Sequence, residues 1–180
     1  NGTAARNTNL LAVAGKIGGA LTFNGTTDFV NVGNVIGTGA YTKIAWVKRT
    51  AGNFYNNIVS SSSTASASAH ALFAPYYWQY KLSAGHLDPF NAVQDSVGLD
   101  ADRWYFVAVT YDPAVSSGTM VLYKDGVTVS SATNVPTKTT VVPTYIGRYS
   151  TVGGFSGAID NAMILNRALT GEEISLLYNN

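Results

Sequence analysis

Trp104-Tyr-Phe-Val-Ala-Val-Thr-Tyr111 carries apolar side chains on both of its alternating faces. Its even positions read Trp, Phe, Ala and Thr, and its odd ones Tyr, Val, Val and Tyr. A strand of that composition is covered on each side, so it lies centrally in one layer of a layered β-protein. Just beyond it, Thr119-Met-Val-Leu-Tyr-Lys-Asp-Gly-Val-Thr-Val-Ser130 reads as a hairpin. Asp125-Gly126 supplies the two residues that tolerate positive φ in a type I′ turn.

Outward from this pair, β-rich runs recur roughly every ten residues between Gly, Asn, Asp and Ser, the spacing of a sandwich or barrel. They are Leu21–Phe23, Phe29–Val32, Tyr41–Lys48, Asn57–Ser60, Ala69–Ala74 and Tyr77–Ser83 on one side. Ala92–Ser96 precedes the central strand, and Thr144–Arg148 and Gly157–Leu165 follow the hairpin. Residues 1–20 form an irregular lead-in with a short edge strand, and 60–68 a polar, low-complexity surface loop. One helix is predicted, Thr170-Gly-Glu-Glu-Ile-Ser-Leu-Leu-Tyr178. Thr170 and Glu173 are spaced as a capping box, and Leu169 and Ile174 as the hydrophobic staple around it. Ile174, Leu177 and Tyr178 share the face that docks on the sandwich edge.

At 180 residues the chain is one domain spanning 1–180, long enough to bury a core without staples. It has no cysteine, which excludes disulfides and thiol chemistry. Eleven Lys and Arg stand against ten Asp and Glu, with no basic stripe of the kind that binds nucleic acid. No apolar run reaches the ~20 residues of a membrane-spanning helix, so no membrane insertion is expected. No leader-like stretch opens the chain at Asn1, which reads as a mature protein or an excised module.

Three segments carry a resemblance. Gly18-Gly-Ala-Leu-Thr-Phe-Asn-Gly-Thr-Thr-Asp-Phe-Val30 is the first, and the 104–126 block the second. Gly157-Ala-Ile-Asp-Asn-Ala-Met-Ile-Leu-Asn-Arg-Ala-Leu-Thr170 is the third. In order and spacing they resemble the laminin-G-like, concanavalin A-like lectin/glucanase domains over essentially the whole chain. The resemblance implies an all-β, two-sheet antiparallel jelly-roll sandwich with a short C-terminal helix. It also implies a structural calcium (Ca2+) at the sandwich edge, with Asp160 as carboxylate ligand, carbonyls near Asn24 and Gly25, and Asp28 as a weaker candidate. Calcium takes oxygen ligands of these kinds. The alternative reading is that Asn24 and Asp28 form Asx turns and Asp160 pairs with a backbone amide.

Catalysis is not expected. Glycosidases use two carboxylates about 5–9 Å apart, yet the only glutamates, Glu172 and Glu173, sit in the helix cap. No strand holds two acids at i, i+2, and His70 and His86 have no Gly-x-Ser-x-Gly elbow beside them. The aromatic runs are more telling, because sugars stack their C–H faces on aromatic rings. Tyr76-Tyr-Trp-Gln-Tyr-Lys81 is the densest, and Phe54-Tyr-Asn-Asn57 the next. Read as a strand, the first places Tyr76, Trp78 and Tyr80 on one face and Tyr77, Gln79 and Lys81 on the other. Tyr55, Tyr77, Trp78, Gln79 and Tyr80 are therefore the candidate ligand-binding residues; the alternative is a core Trp face under a solvated Tyr face.

The reading is a non-catalytic, secreted, lectin-like carbohydrate-binding or adhesion module. It is expected outside the cell or at the cell surface, with a glycan or cell-surface polysaccharide as partner. The alternative is a structural or protein-interaction domain of a cell-surface, appendage or virion protein. In that case there is no sugar ligand, and the partners are copies of itself or the rest of a multidomain parent.

Overall fold

The computed structural model describes residues 2–65, 67–86 and 90–180. Its first strands are β1 (Thr3–Ala4), β2 (Ala12–Ala14), β3 (Gly19–Asn24), β4 (Val30–Gly33), β5 (Tyr41–Arg49), β6 (Val59–Ser61) and β7 (His70–Phe73). Then come β8 (Lys81–His86), β9 (Val93–Gly98), β10 (Tyr105–Asp112), β11 (Thr119–Lys124), β12 (Val127–Ala132), β13 (Thr144–Ile146) and β14 (Ser156–Leu165). A single turn, α1 (Thr8–Leu11), lies between β1 and β2, and α2 (Gly171–Asn179) follows β14.

One layer is a seven-stranded sheet in the order β12-β11-β10-β5-β14-β3-β2. The facing layer combines β1-β4-β13-β6 with β7-β8-β9. The two parts meet where the Ile58 N–H donates to the Leu72 carbonyl at 2.8 Å and Asn57 bridges Phe73. All pairings are antiparallel, as a jelly-roll sandwich requires. The 119–130 hairpin turns at Asp125 and Gly126, with φ of 51° and 78°. Both values are positive, as the type I′ turn demands.

Register explains why Tyr105–Asp112 is apolar on both faces. Tyr105, Val107, Val109 and Tyr111 pair with Val47, Ala45, Lys43 and Tyr41 and point between the layers. Phe106 and Ala108 pair with Trp46 and Ile44 on the opposite face. Leu169, Ile174 and Tyr178 cover that second patch, Tyr178 lying 5.7 Å from Trp46 and 5.8 Å from Phe106. α2 thus rests on the outer face of the seven-stranded sheet, not on the sandwich edge as its sequence implied. An exposed patch containing Trp46 and Phe106 is what draws it there. Leu177, expected on the docking face, stays exposed. The capping box forms as read: Thr170 Oγ1 accepts from the Glu173 N–H at 3.2 Å and Glu173 Oε2 from the Thr170 N–H at 2.9 Å.

The interior is not wholly apolar. Lys43 is fully buried; its Nζ donates to the Val59 carbonyl at 3.2 Å and lies 2.9 Å from His70 Nδ1. His70 Nε2 faces Thr144 Oγ1 at 3.3 Å. Lys138 Nζ donates to the Gly37 carbonyl at 2.6 Å. His86 packs edge-on against Tyr111, and neither of its ring nitrogens has a partner among the described residues. Burial, with the neighbouring lysines second, holds Lys43 and His70 well below their ordinary values and His86 at about 3. Burial lowers Lys138 to about 8. Both histidines sit at strand ends, His70 opening β7 and His86 closing β8, and both are buried in the core.

Candidate functional site

One outer face of the sandwich is covered by α2. The other, on the β6–β7–β8 side, carries a cavity of about 280 Å³. Its floor follows from strand alternation: His70 and Leu72 of β7 point into the core, leaving Ala71 and Phe73 to face outward. The strand predicted at Tyr77–Ser83 begins only at Lys81. Pro75 opens a tight turn over Tyr76–Trp78, its carbonyl accepting from the Trp78 and Tyr80 amides at 3.1 and 3.0 Å. Gln79 and Tyr80 then take left-handed conformations, with φ of 58° and 59°.

That turn replaces the alternation with which the sequence was read. Tyr77 and Trp78, neighbours on a turn instead of opposite faces of a strand, both line the cavity, and Tyr55 joins them. Their rings interlock edge to face: Tyr55–Tyr77 at 5.5 Å, Tyr77–Trp78 at 5.3 Å and Tyr55–Tyr76 at 6.0 Å. Trp78 leans on the floor residue Phe73 at 5.4 Å. Tyr80 is elsewhere, beneath the Arg49 guanidinium at 3.6 Å with its hydroxyl donating to the Gly52 carbonyl at 3.1 Å. Gln79 is exposed and does not line the cavity. Three of the five predicted residues converge, and two do not.

Residues that the sequence did not single out supply the opposite wall. Phe90 and Tyr149 meet at 5.5 Å, with Asn91 and Val152 beside them. Phe90 crosses directly over β8 because position 85 is glycine; a Cβ there would meet the Phe90 carbonyl carbon at 2.6 Å. Asn57 ties wall to floor: its Nδ2 donates to the Gly153 carbonyl at 2.7 Å, and its Oδ1 accepts from Ser60 Oγ at 3.1 Å. Gly153 has φ of 74°, and a Cβ would strike Asn57 Nδ2 at 2.6 Å. The Tyr55 and Tyr77 hydroxyls, the Trp78 indole N–H and the Asn91 amide are left free of hydrogen bonds within the described residues. Partial burial, then Tyr55 and Tyr76, raise the Tyr77 pKa, so its hydroxyl stays protonated and able to donate.

The residues expected to hold calcium do not form one site. Asn24 pairs with Ser156 across β3–β14. Asp160 is four residues farther along β14, about 13 Å at strand rise. Asn24 Oδ1 accepts from the amides of Thr26, Thr27 and Asp28, which is the Asx turn weighed as the alternative. Both Asp28 oxygens are taken by Arg6, and one also by the Asn24 amide. The Gly25 amide donates to the Phe155 carbonyl at 2.8 Å. A cation at that turn would face the Arg6 guanidinium, so these three residues do not fit one. Asp160 differs: Oδ2 accepts from the Ile17 amide at 2.9 Å, while the buried Oδ1 has no partner among the described residues. The 15–19 loop wraps so tightly that a Cβ on Gly15 would meet Asp160 Oδ2 at 2.4 Å. Among the described residues no three His, Asp or Glu side chains cluster as a metal centre.

Residues 24–175 match the family model described as the concanavalin A-like lectin/glucanases superfamily. The chain belongs to this superfamily. Solved structures share the fold at low identity. Domain 4 of AbnA, an extracellular arabinanase from Geobacillus stearothermophilus solved with arabinotriose, superimposes with a TM-score of 0.72 at 20% identity, covering 93% of this chain and 80% of that one. A heptameric SAP-like pentraxin from Limulus polyphemus gives 0.66 at 15% identity, over 87% of this chain and 80% of the other. Trypanosoma rangeli sialidase gives 0.67 at 16% identity; the match covers 93% of this superfamily domain but only 28% of the sialidase. A search of curated proteins finds no match.

Proposed function

We propose that the domain is a non-catalytic carbohydrate-binding module that holds a glycan in the aromatic cavity on its uncovered outer face. One observation carries this reading. Tyr55, Tyr77 and Trp78 converge with Phe90 and Tyr149 around a concave site where, within the described residues, the Tyr55 and Tyr77 hydroxyls, the Trp78 indole and the Asn91 amide are free. Aromatic walls with a few polar groups are what a sugar needs, ring faces for its C–H bonds and hydrogen bonds for its hydroxyls. The similarity to an arabinanase domain solved with arabinotriose supports it. The superfamily includes glucanases as well as lectins. Binding is favoured over hydrolysis because a glycosidase acts through two carboxylates about 5–9 Å apart, and no described residue lining the cavity is an acid. Glycans of this kind are met outside the cell or at its surface, which is the proposed location.

Calcium belongs to the same proposal at Asp160 alone, where a buried carboxylate oxygen lacks a partner among the described residues. There it would anchor the 15–19 loop against β14, away from the aromatic cavity. The test of function is a broad glycan array probed with the wild-type domain and with Tyr77→Ala. Binding that Tyr77→Ala weakens supports the module. Silence across the array turns the assignment to a structural or protein-interaction domain.

A further inference from the structure

The cavity's electrostatics narrow its ligand. Its described lining contains no Asp, Glu, Lys, Arg or His. Arg148, next in sequence to Tyr149, is turned aside: its Nη2 donates to the Thr151 carbonyl at 2.6 Å and its guanidinium lies 5.3 Å from the Phe29 ring. Arg49 is likewise spent, donating to the carbonyls of Leu99 and Thr50 with Tyr80 stacked beneath its guanidinium. Asn57, the polar side chain at the floor, is committed to Gly153 and Ser60.

Taking a carboxylate or sulfate out of water into such walls costs free energy that only a cation or several aimed donors offset. The donors available are single phenol, indole and amide groups set among apolar rings. A neutral sugar ring incurs no such penalty, because its hydroxyls stay near the mouth and its C–H face meets the aromatics. At about 280 Å³ the cavity also sits just below the roughly 300–1,000 Å³ of sites for drug-sized ligands. That size suits one ring, not a run of an extended chain.

We propose that the aromatic cavity takes a single uncharged sugar residue of a glycan and discriminates against sialic acid, uronic acids and sulfated sugars. This rests on the carbohydrate-binding reading above and adds its specificity. Discrimination comes from what the site lacks, since rejecting a ligand by denying a charge its partner is as effective as improving the preferred contact.

The test uses the intact domain on an array of neutral glycans printed beside their sialylated, uronic and sulfated counterparts, with Val152→Lys in parallel. Val152 is exposed at the rim, so a lysine there brings a cation to the mouth without disturbing the core. Neutral members are expected to bind at least tenfold more tightly than their acidic counterparts, and Val152→Lys to narrow that ratio. Equal or tighter binding of acidic glycans, still lost in Tyr77→Ala, would overturn the specificity while leaving the binding function in place. A ratio that Val152→Lys does not move would contradict the charge argument. No binding of either class removes the function and the specificity together.

Discussion

Asn57 donates its Nδ2 to the Gly153 carbonyl at 2.7 Å, fastening the 149–153 loop to the floor of the cavity it walls. The two residues lie on opposite sides of β6 to β13 in sequence and meet only in the folded sandwich. Because Asn57 is buried, Asn57→Ala leaves the Gly153 carbonyl and the Ser60 hydroxyl short of partners. An unsatisfied buried group costs about 1–3 kcal/mol. Urea unfolding is expected to show a loss of that order, with glycan affinity falling further than stability as the wall loosens.

Within the aromatic cluster, the structure separates residues that the sequence grouped together. Tyr77→Ala and Trp78→Ala are each expected to weaken glycan binding by tenfold or more in calorimetric titration, about 1.4 kcal/mol. Tyr77 is 48% exposed, so its removal leaves the fold intact. Tyr80→Phe is the control: it loses a hydrogen bond to Gly52, remote from the cavity, and binding should not change.

The buried basic cluster makes stability depend on pH. His70 and His86 have folded pKa values depressed below the 6.5 of the unfolded chain, so the unfolded state binds more protons as pH falls. Their contribution is complete above about 6.5 and drains away as the medium is acidified towards the folded values. Each histidine contributes a slope of up to about 1.4 kcal/mol per pH unit within its window. Lys43 and Lys138 are depressed in the same sense, which adds stability as pH rises towards their unfolded value near 10.5. Tyr41, raised by burial, reverses the trend above its ordinary value of 10. Thermal melts should show Tm falling steeply below pH 6.5, and His86→Phe, facing Tyr111 and Tyr41, should flatten that fall. Parallel profiles for variant and wild type would show that His86 is not part of the effect.

For calcium, the expected outcome is a Tm that rises with the ion, falls with chelator, and loses that difference in Asp160→Asn. Asp28→Asn should destabilise equally with and without calcium, because what it loses is the Arg6 pair. Identical melts in calcium and chelator would remove the metal.

α2 offers a test of packing. Ile174 is fully buried against Trp46 and Phe106, and truncation of such a residue to alanine costs about 2–5 kcal/mol. Thr170→Ala should cost about 0.5–2 kcal/mol through the lost cap. Both are measured by denaturant unfolding, and a larger effect for Thr170 than for Ile174 would contradict the packing described.

The sandwich was legible because its signals are local. The Asp125-Gly126 turn, the two-faced strand at 104–111 and the capping box at Thr170 each state their geometry within a few residues. The docking of α2 was half legible: the sequence showed its apolar face, but Ile44, Trp46, Phe106 and Ala108 become one patch only once β5 and β10 pair. The cavity was less legible still. Pro75 ahead of Tyr76 was the available sign that a turn precedes the strand, and it explains why Tyr77 and Trp78 share a site while Gln79 and Tyr80 leave it. Phe90, Asn91 and the 149–153 loop reach the site through tertiary pairing that no local pattern encodes. The spacing of the calcium candidates was illegible for the same reason: β3–β14 register, invisible in the sequence, parts Asp160 from Asn24. Lys43 gave no sign of burial either, since a lysine in a strand reads as its solvent-facing member.

The most direct measurement is NMR of the three tryptophan indole N–H signals, assigned by single Trp→Phe variants, during titration with a glycan that binds on the array. Trp46 lies under α2 and Trp104 beside Lys48, both on the seven-stranded sheet, so of the three only Trp78 lines the cavity. The account predicts that the Trp78 signal moves to saturation while those of Trp46 and Trp104 stay in place. A saturating glycan that leaves Trp78 unmoved would contradict it.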